Sequence, residues 1–302
     1  MLALAVEFYL SVRRAAGFRL HDAGLHLKSF AAYSDLQGLH HVSSKTAIDW
    51  ACQAPSRHQR ARRLAHVARL ARYLRAEDER HEIPPAVFGS ESRARPTPYI
   101  LSDEQIRQLV SLTAQSGYRT LRRQTYSTLF ALLSCTGLRV SEAIRLSYAD
   151  ITPDGLLIRA TKFNKSRLVP LHETARVGLE RYLEQRRPYA PDDDHVFVSL
   201  RRKPLRIADV ETAFRTAAQA MALPCGRGQR RPTPHSLRHA FAVRALKQCP
   251  DGRDHITKHM LMLSTYLGHC RADLTYWYLE AVPELMRGIA ERCEAHVGRD
   301  AS

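Results

Sequence analysis

The chain has 302 residues, of which 44% are hydrophobic and 25% charged, as in an ordinary globular protein rather than a disordered or fibrous one. Lys and Arg outnumber Asp and Glu by 46 to 30, so the formal net charge of +16 favours a polyanionic partner, nucleic acid ahead of an anionic membrane. The sequence has no apolar run near the ~18 residues of a membrane span and no secretory signal, so we expect a cytoplasmic protein, and its length predicts two domains.

The first predicted domain spans residues 1–82 and consists of four helical segments without a strand. Its fourth segment, residues 57–75, carries seven arginines and no acidic residue. Five apolar residues recur there at helical spacing and predict a buried stripe: Leu64, Val67, Ala68, Ala71 and Leu74. Arg62, Arg69 and Arg72 then share another face. A solvated basic helix would explain this face, but a DNA-binding surface is favoured because the segment offers no acid to pair with the arginines.

A linker and a second domain follow. Residues 83–98 are predicted to be the linker, because four prolines and a basic pair occur there in a polar segment. The second domain, residues 99–302, should begin with a helix that starts at a capping box of Ser102 and Gln105.

A helix pair and a hairpin are predicted next. A long helix through residues 126–136 should end at Gly137, and a second helix should run over about residues 140–146. The segments LLIRA (156–160) and RLVPL (167–171) flank the polar tip TKFNKS, which is the pattern of a β-hairpin.

The rest of the chain reads as mostly helical. The short apolar run VFVSL at 196–200 is a candidate third strand, and an apolar stripe predicts a C-terminal helix at about 283–296. The predicted fold class is therefore mainly α with a small antiparallel β-sheet (α+β).

The cysteine and histidine spacings argue against a metal site. The six cysteines lie far apart without a CxxC pair, so we expect reduced thiols. The pairs His235/His239 and His255/His259 have the i, i+4 spacing that can chelate zinc on a helix, but neither contains the glutamate of HExxH. We expect no metal and no other cofactor.

Four short motifs occur in order in the second domain: TGLRVSEAIRL (136–146), TKFNKSRLVPL (161–171), HSLRH (235–239) and YLGHCRADLTYWY (266–278). With these predicted elements they resemble the catalytic domain of the tyrosine recombinases, or phage integrase family, over about residues 100–285. The first domain looks like the core-binding domain of that family by position and composition only.

The resemblance implies a catalytic set of six residues: Arg139, Lys162, His235, Arg238, His269 and Tyr278. It makes Tyr278 the nucleophile, nine positions after His269, and it assigns His269 to hydrogen bonding a non-bridging phosphate oxygen. Tyr276 is two residues off this spacing and Tyr266 precedes the histidine, so both are expected to pack. The implied intermediate is a covalent 3′-phosphotyrosyl link, formed without ATP or metal.

The residue types also suit this chemistry on physical grounds. A phosphorane under attack carries extra negative charge, which the planar guanidinium groups of Arg139 and Arg238 can bind through paired hydrogen bonds. A tyrosine hydroxyl, with a pKa near 10, needs a base or cationic surroundings, which His235 and the arginines can supply. A lysine on the hairpin tip can protonate the leaving 5′ oxygen, and we assign this role to Lys162 with Lys165 in reserve.

Each of these positions also has a plain structural interpretation. Arg139 could be a surface residue at a helix start, Lys162 a solvated turn lysine, and Tyr278 a packing residue. His235 and Arg238 could form a simple polar network.

Further residues are assigned to DNA contacts, and one is assigned to the orientation of its neighbours. The loop GRGQRRP at 226–232, with Arg230 and Arg231, is either a disordered loop or a phosphate clamp, and Lys165 lies on the hairpin tip. Glu142 is expected to orient a neighbouring arginine or main-chain group.

Two features concern the C-terminal third. The interval of 34 residues from His235 to His269 is longer than the family pattern, and residues 247–262 look like an insertion.

Members of the family often dock a C-terminal helix on a neighbouring subunit, so self-association on DNA, as a tetramer that pairs two duplexes, is expected.

The function favoured by the sequence is site-specific DNA recombination or integration, in the service of a mobile element or phage. Two alternatives stay open: a type IB topoisomerase that relaxes DNA, and a DNA-binding protein of the same fold without catalysis. Recognition of a target sequence would depend on side chains at base edges, and an accessory protein could take part.

Overall fold

The computed structural model of the protein describes residues 2–89, 97–117, 120–159, 166–223, 231–248 and 253–268, together with Thr275 and Tyr278. The chain divides into two compact units, residues 1–95 and 96–302. Within the described residues it is mainly helical and has one small antiparallel sheet, as predicted. None of the helices in these ranges combines the length and the apolar character that crossing a membrane requires.

The first unit contains four helices within residues 2–89: α1 (Leu2–Ala15), α2 (His21–Asp35), α3 (Ser44–Cys52) and α4 (Arg57–Leu74). Ser56 caps α4, since its side chain accepts a hydrogen bond from the Gln59 amide at 3.3 Å. All five residues of the stripe predicted on α4 are buried. Four of them, all except Ala68, join a core that includes Trp50 and Phe30, whose rings meet edge to face at 5.4 Å. Burial of this apolar face gives α4 its orientation.

The beginning of the predicted linker packs on this first unit. Phe88 contacts its apolar core, and the Phe88 carbonyl accepts a hydrogen bond from Arg57 Nε at 3.0 Å. Pro84 is buried. Residues 90–96 lie outside the described part of the chain.

The second unit is built around α6. Its helices within the described ranges are α5 (Asp103–Gln115), α6 (Thr120–Thr136), α7 (Val140–Ala143), α8 (Glu173–Tyr189), α9 (Ile207–Ala220), α10 (His235–Lys247) and α11 (Arg253–Leu267). The predicted capping box starts α5, because the Ser102 hydroxyl accepts from the Gln105 amide at 3.1 Å and the Gln105 side chain accepts from the Ser102 amide at 3.0 Å. Helix α6 packs against α5, α8 and α10.

The second helix of the predicted pair is shorter than expected. Helix α7 ends at Ala143 instead of about Leu146. Main-chain bonds from Arg145 to Glu142 and from Leu146 to Ala143 tighten the last turn, and the Leu146 carbonyl then accepts from the Val196 amide at 2.8 Å. The competing bond to Val196 draws the chain out of the helix.

The sheet has the strand order β1 (Ile151–Thr152), β2 (Gly155–Ile158) and β3 (Arg167–Val169), all antiparallel. Strands β2 and β3 are the predicted hairpin, with Leu156 opposite Val169. The third strand is β1, so the assignment of VFVSL at 196–200 was wrong. Within the described residues that run makes one isolated bridge, from Val198 to Pro204. Its residues 196–198 are buried, with Phe197 stacked on Tyr182 at 5.4 Å.

The end of α6 depends on a glycine. Gly137 has φ +61°, and a Cβ atom there would lie 2.5 Å from Phe241 Cδ1. Replacing Gly137 with alanine is expected to destabilise the protein by about 2–3 kcal/mol, since left-handed backbone strain adds to overpacking. Gly178 in α8 is the matched control: a Cβ there meets open space, so Gly178→Ala should stabilise by about 0.5–1 kcal/mol. Urea unfolding measures both, and equal effects would contradict this account.

Candidate active site

Three segments of the second unit meet at the C-terminal end of α11. The last carbonyls of a helix have no partner within it, and that end carries the negative pole of the helix dipole. Three arginines from distant parts of the chain bind three successive carbonyls: Arg167 Nε donates to Tyr266 O at 2.8 Å, Arg238 Nη2 to Leu267 O at 2.6 Å and Arg139 Nη2 to Gly268 O at 3.1 Å. The end of α11 therefore gathers the guanidinium groups of the site.

Glu142 connects two of these arginines. Its buried carboxylate accepts hydrogen bonds from the Arg139 amide at 2.9 Å and from Arg139 Nη1 at 2.7 Å, as the sequence led us to expect. It also accepts two hydrogen bonds from Arg167, at 2.9 and 3.1 Å. Burial raises the pKa of Glu142, but the hydrogen bonds and charges of Arg167 and Arg139 outweigh burial and lower the pKa to about 2. The carboxylate stays ionised and fixes both guanidinium groups.

Replacing Glu142 with glutamine is expected to destabilise the protein by about 2–3 kcal/mol at neutral pH, because two guanidinium groups lose their shared charge partner. Folding lowers this pKa from 4.5 to about 2, so the ionised carboxylate stabilises the fold above pH 4.5 and loses this effect as the pH falls towards 2. The difference between wild type and variant in urea unfolding should therefore shrink from about pH 7 to about pH 3.

Glu104 is the matched control for this variant. It is exposed and pairs with Arg107 at 2.7 Å, so Glu104→Gln should change stability by less than about 0.5 kcal/mol. A Glu142→Gln effect that is independent of pH would contradict the proposed charge interaction.

Arg238 is the most deeply buried cation of the site. It is 1% exposed, and Nη1 donates to the Gly137 carbonyl at 2.6 Å while Nη2 donates to Leu267. Burial, followed by the positive charge of Arg139, lowers the pKa of Arg238 to about 10, so the guanidinium remains charged at neutral pH. The Gly137 turn thus places Arg139 and Arg238 side by side.

Helix α10 brings two histidines, His235 and His239, to the site that contains Arg238. His235 reaches solvent, yet the protein atoms around it and the charges of Arg238 and Arg139 lower its pKa from 6.5 to about 4. This histidine is therefore neutral at pH 7 and able to accept a proton. The His235 and His239 rings meet edge to face, with centroids 4.5 Å apart.

The structure offers no metal cluster within its described residues. In the second i, i+4 pair, His259 Nε2 donates to the Ala245 carbonyl at 2.8 Å, so that ring is already committed to the protein. The expectation of no metal remains a prediction.

Tyr278 lies beside α10. It is 2% exposed and packs in an apolar cluster made by α10 and α11, and its hydroxyl lies 3.0 Å from His239 Nδ1. The ring centroids of Tyr278 and His239 are 5.5 Å apart. The structure thus brings together four of the six predicted catalytic residues, Arg139, His235, Arg238 and Tyr278.

The remaining predicted positions of the second unit are only partly covered. Lys162, Lys165, Arg230 and His269 lie outside the described residues, as does the C-terminal helix expected at 283–296. Arg231 is exposed and lines a cleft between α9 and the segment that leads into α10.

In the first unit, the expectation that the arginines of α4 lack an acidic partner was wrong for Arg62. Arg62 Nη2 pairs with Asp22 Oδ2 at 2.6 Å, and Asp22 belongs to α2. The sequence missed this pair because the acid lies 40 positions away. Arg69 and Arg72 are exposed, and Arg69 also contacts His66 at 3.3 Å.

Sequence reasoning missed two residues of the site. Arg167 opens the strand RLV, and its bidentate pairing with Glu142 depends on a fold-level contact that no local pattern signals. His239 was visible in HSLRH, but its i, i+4 spacing suggested only a metal pair, whereas it contacts the tyrosine.

Comparison with known proteins gives a consistent result. Residues 100–282 match the sequence profile of the Phage integrase family. A predicted integrase/recombinase of Sinorhizobium fredii, y4rB, is 36% identical over 302 residues, covering 96% of this chain and 96% of the relative. Tyrosine recombinase XerD of Proteus mirabilis is 32% identical over 251 residues, covering 82% of this chain and 74% of the relative.

Solved structures share the fold. The Tn1549 transposon integrase in complex with transposon right end DNA superposes with a TM-score of 0.65 at 17% identity, covering 96% of this chain and 98% of that one. XerH site-specific recombinase bound to palindromic difH substrate, in a post-cleavage complex, gives a TM-score of 0.64 at 17% identity, covering 90% and 78%.

Proposed function

This chain belongs to the phage integrase family, the tyrosine recombinases, and we propose that it acts as a site-specific DNA recombinase that cleaves and rejoins strands through a covalent 3′-phosphotyrosyl intermediate. We further propose that it serves a mobile element or phage, since the relatives and fold neighbours include integrases. Its location would be the cytoplasm, where such DNA lies.

One observation carries the proposal. The Tyr278 hydroxyl is hydrogen bonded to α10, at the residue that directly follows Arg238. A phenolic oxygen, a buried guanidinium and, through α11, the Arg139 guanidinium thus share one site. This combination suits nucleophilic attack on a phosphodiester, because the attacking group and the charges that stabilise the phosphorane are held together.

The first step forms the Tyr278 O–P bond and breaks the bond from phosphorus to the 5′ oxygen. Arg139 and Arg238 bind the non-bridging oxygens, whose added charge favours paired N–H donors. His235 is neutral and can take the phenolic proton. Burial and then the charges of Arg238 and Arg139 lower its pKa, and a bound phosphate would counter the part that is due to these charges.

In this first step Lys162, which the sequence predicts on the hairpin tip, would protonate the leaving 5′ oxygen, with Lys165 in reserve, and His269 would bind a non-bridging oxygen. The second step reverses the first. A 5′ hydroxyl of the partner strand then attacks the phosphotyrosyl bond and releases Tyr278. The covalent bond conserves the energy of the cleaved link, so the cycle needs neither ATP nor a metal.

Binding of duplex DNA would involve both units. We propose residues 1–82 as a core-binding domain that contacts DNA through the basic face of α4 and residues 99–302 as the catalytic domain, with 83–98 between them. The candidate DNA contacts are Arg62, Arg69, Arg72, Lys165, Arg230 and Arg231. The salt bridge of Arg62 to Asp22 reduces the charge it can offer.

Strand exchange requires more than one subunit. We propose a tetramer on two paired duplexes, with the C-terminal helix at about 283–296 docked on a neighbouring subunit. Normal assembly of a chain lacking residues 283–302 on paired sites would contradict this part of the proposal.

The experiment that tests the function uses duplex DNA from the flanks of the gene, nicked so that the cleaved strand cannot be rejoined. We expect a covalent protein–DNA adduct that survives denaturation and contains the 3′ phosphate. Absence of an adduct on every flanking segment would leave a DNA-binding protein without catalysis. Relaxation of supercoiled DNA that carries no such segment would instead indicate a topoisomerase.

A further inference from the structure

The Tyr278 hydroxyl has a specific partner that the catalytic set does not contain. His239 Nδ1 lies 3.0 Å from this hydroxyl, and the tyrosine is 2% exposed. Its apolar neighbours come from α10 and α11: Ala242, Val243, Leu246, Met260, Leu263 and Leu267. A buried hydroxyl requires a hydrogen-bonding group, and the imidazole at position 239 provides one that these aliphatic neighbours cannot.

The position of His239 on α10 determines where its contact holds the Tyr278 hydroxyl. Residues three and four apart on a helix share a face, so His235, Arg238 and His239 point to one region. A hydrogen bond to His239 therefore sets the distance from the tyrosine oxygen to Arg238, because one helical turn carries both groups. Burial and the charge of Arg139 lower the pKa of Arg238 on balance, and the charge of a Tyr278 phenolate would partly offset this lowering.

Positive charges on His235 and His239 at the same time are disfavoured. Burial and the guanidinium groups of Arg238 and Arg139 already oppose a positive charge on His235, and the His239 ring lies 4.5 Å from the His235 ring. An imidazolium at His239 would add a further charge to this cluster. A neutral imidazole that only holds the hydroxyl avoids this cost.

We propose that His239 is a positioning residue that anchors the Tyr278 hydroxyl beside Arg238 through its Nδ1 atom, before the tyrosine attacks. This inference rests on the proposed function. It assigns His239 to the placement of the nucleophile and leaves proton transfer to His235.

The test compares His239→Leu with His239→Asn in the full-length protein. Leucine removes the hydrogen bond, whereas the asparagine amide reaches the place of Nδ1 but cannot take up a proton. The single-turnover rate of adduct formation on nicked flanking DNA is measured at saturating protein, together with the DNA dissociation constant. His255→Leu, at an exposed position of α11, is the matched control.

We expect His239→Leu to slow adduct formation on the order of 100-fold, as for a misplaced reacting group, with little change in DNA affinity. His239→Asn should stay within about tenfold of wild type, with the same pH–rate profile. If the leucine variant does not fold, His239→Gln is used instead. The glutamine amide reaches the place of Nε2 rather than that of Nδ1, so this variant also lacks the Nδ1 hydrogen bond to Tyr278.

Two results would overturn the inference. An asparagine variant as slow as the leucine variant would make His239 a proton acceptor, and a leucine variant as fast as wild type would deny it any role. Failure of the wild type itself to form an adduct would reject the proposed function instead, so the two failures are distinguishable.

Discussion

The Tyr278→Phe variant will form no covalent adduct with nicked DNA, while it folds and binds DNA almost as wild type does. Only the hydroxyl is removed, so the ring keeps its place in the apolar cluster of α10 and α11. Loss of the hydrogen bond to His239 should cost only about 1 kcal/mol of stability. Catalysis, in contrast, loses the atom that forms the bond to phosphorus. A denaturing gel of the nicked-substrate reaction measures the result.

Two other tyrosines serve as controls for this variant. Tyr276→Phe and Tyr266→Phe should both retain adduct formation. Tyr266 stacks on Phe241 at 5.4 Å, and burial raises its pKa to about 12, which makes it a poor nucleophile. An adduct that persists in Tyr278→Phe and disappears in Tyr276→Phe would move the nucleophile to position 276.

The second large effect is expected for Arg238→Lys. The substitution keeps the charge but loses the planar fork, so it should reduce the adduct-forming rate about 100- to 1,000-fold, equivalent to roughly 3–4 kcal/mol of transition-state stabilisation. It should also lower stability, because lysine cannot bind the carbonyls of Gly137 and Leu267 together. Single-turnover rates at saturating DNA and urea unfolding separate the two effects.

Arg244→Lys is the matched control for this second variant. Arg244 lies on the same helix and, like Arg238, donates to groups of the protein, here the Ser134 carbonyl and Asp103. We expect a change in stability of the same kind and an adduct-forming rate close to that of wild type. Equal losses of rate in the two variants would show that Arg238 acts through folding alone.

Local signals account for what the sequence predicted well. The capping box of Ser102 and Gln105, the stop at Gly137 and the apolar stripe of α4 each depend on residues within a few positions of one another. Such signals act before the chain folds, so a single sequence suffices to read them. The same holds for the spacing within HSLRH, which placed His235 and Arg238 on one helical face.

Long-range contacts account for what it missed. The pairing of Arg167 with Glu142 joins residues 25 positions apart, and that of Arg139 with the Gly268 carbonyl joins residues 129 apart. The run at 196–200 has the composition of a strand, but it does not join the three-stranded sheet. Phe197 packs on Tyr182 instead, and the Val196 amide donates to the Leu146 carbonyl. No local pattern encodes such choices.

The three arginines at the end of α11 have a consequence for how this helix can vary in length. An α-helix turns about 100° per residue, so one residue inserted within the final turns would rotate its terminal carbonyls out of phase with all three guanidinium groups. Extra residues are harmless only where the helix begins, near Arg253. A change of length at that start lets α11 lengthen or shorten at its beginning while its end keeps its rotational register with the arginines.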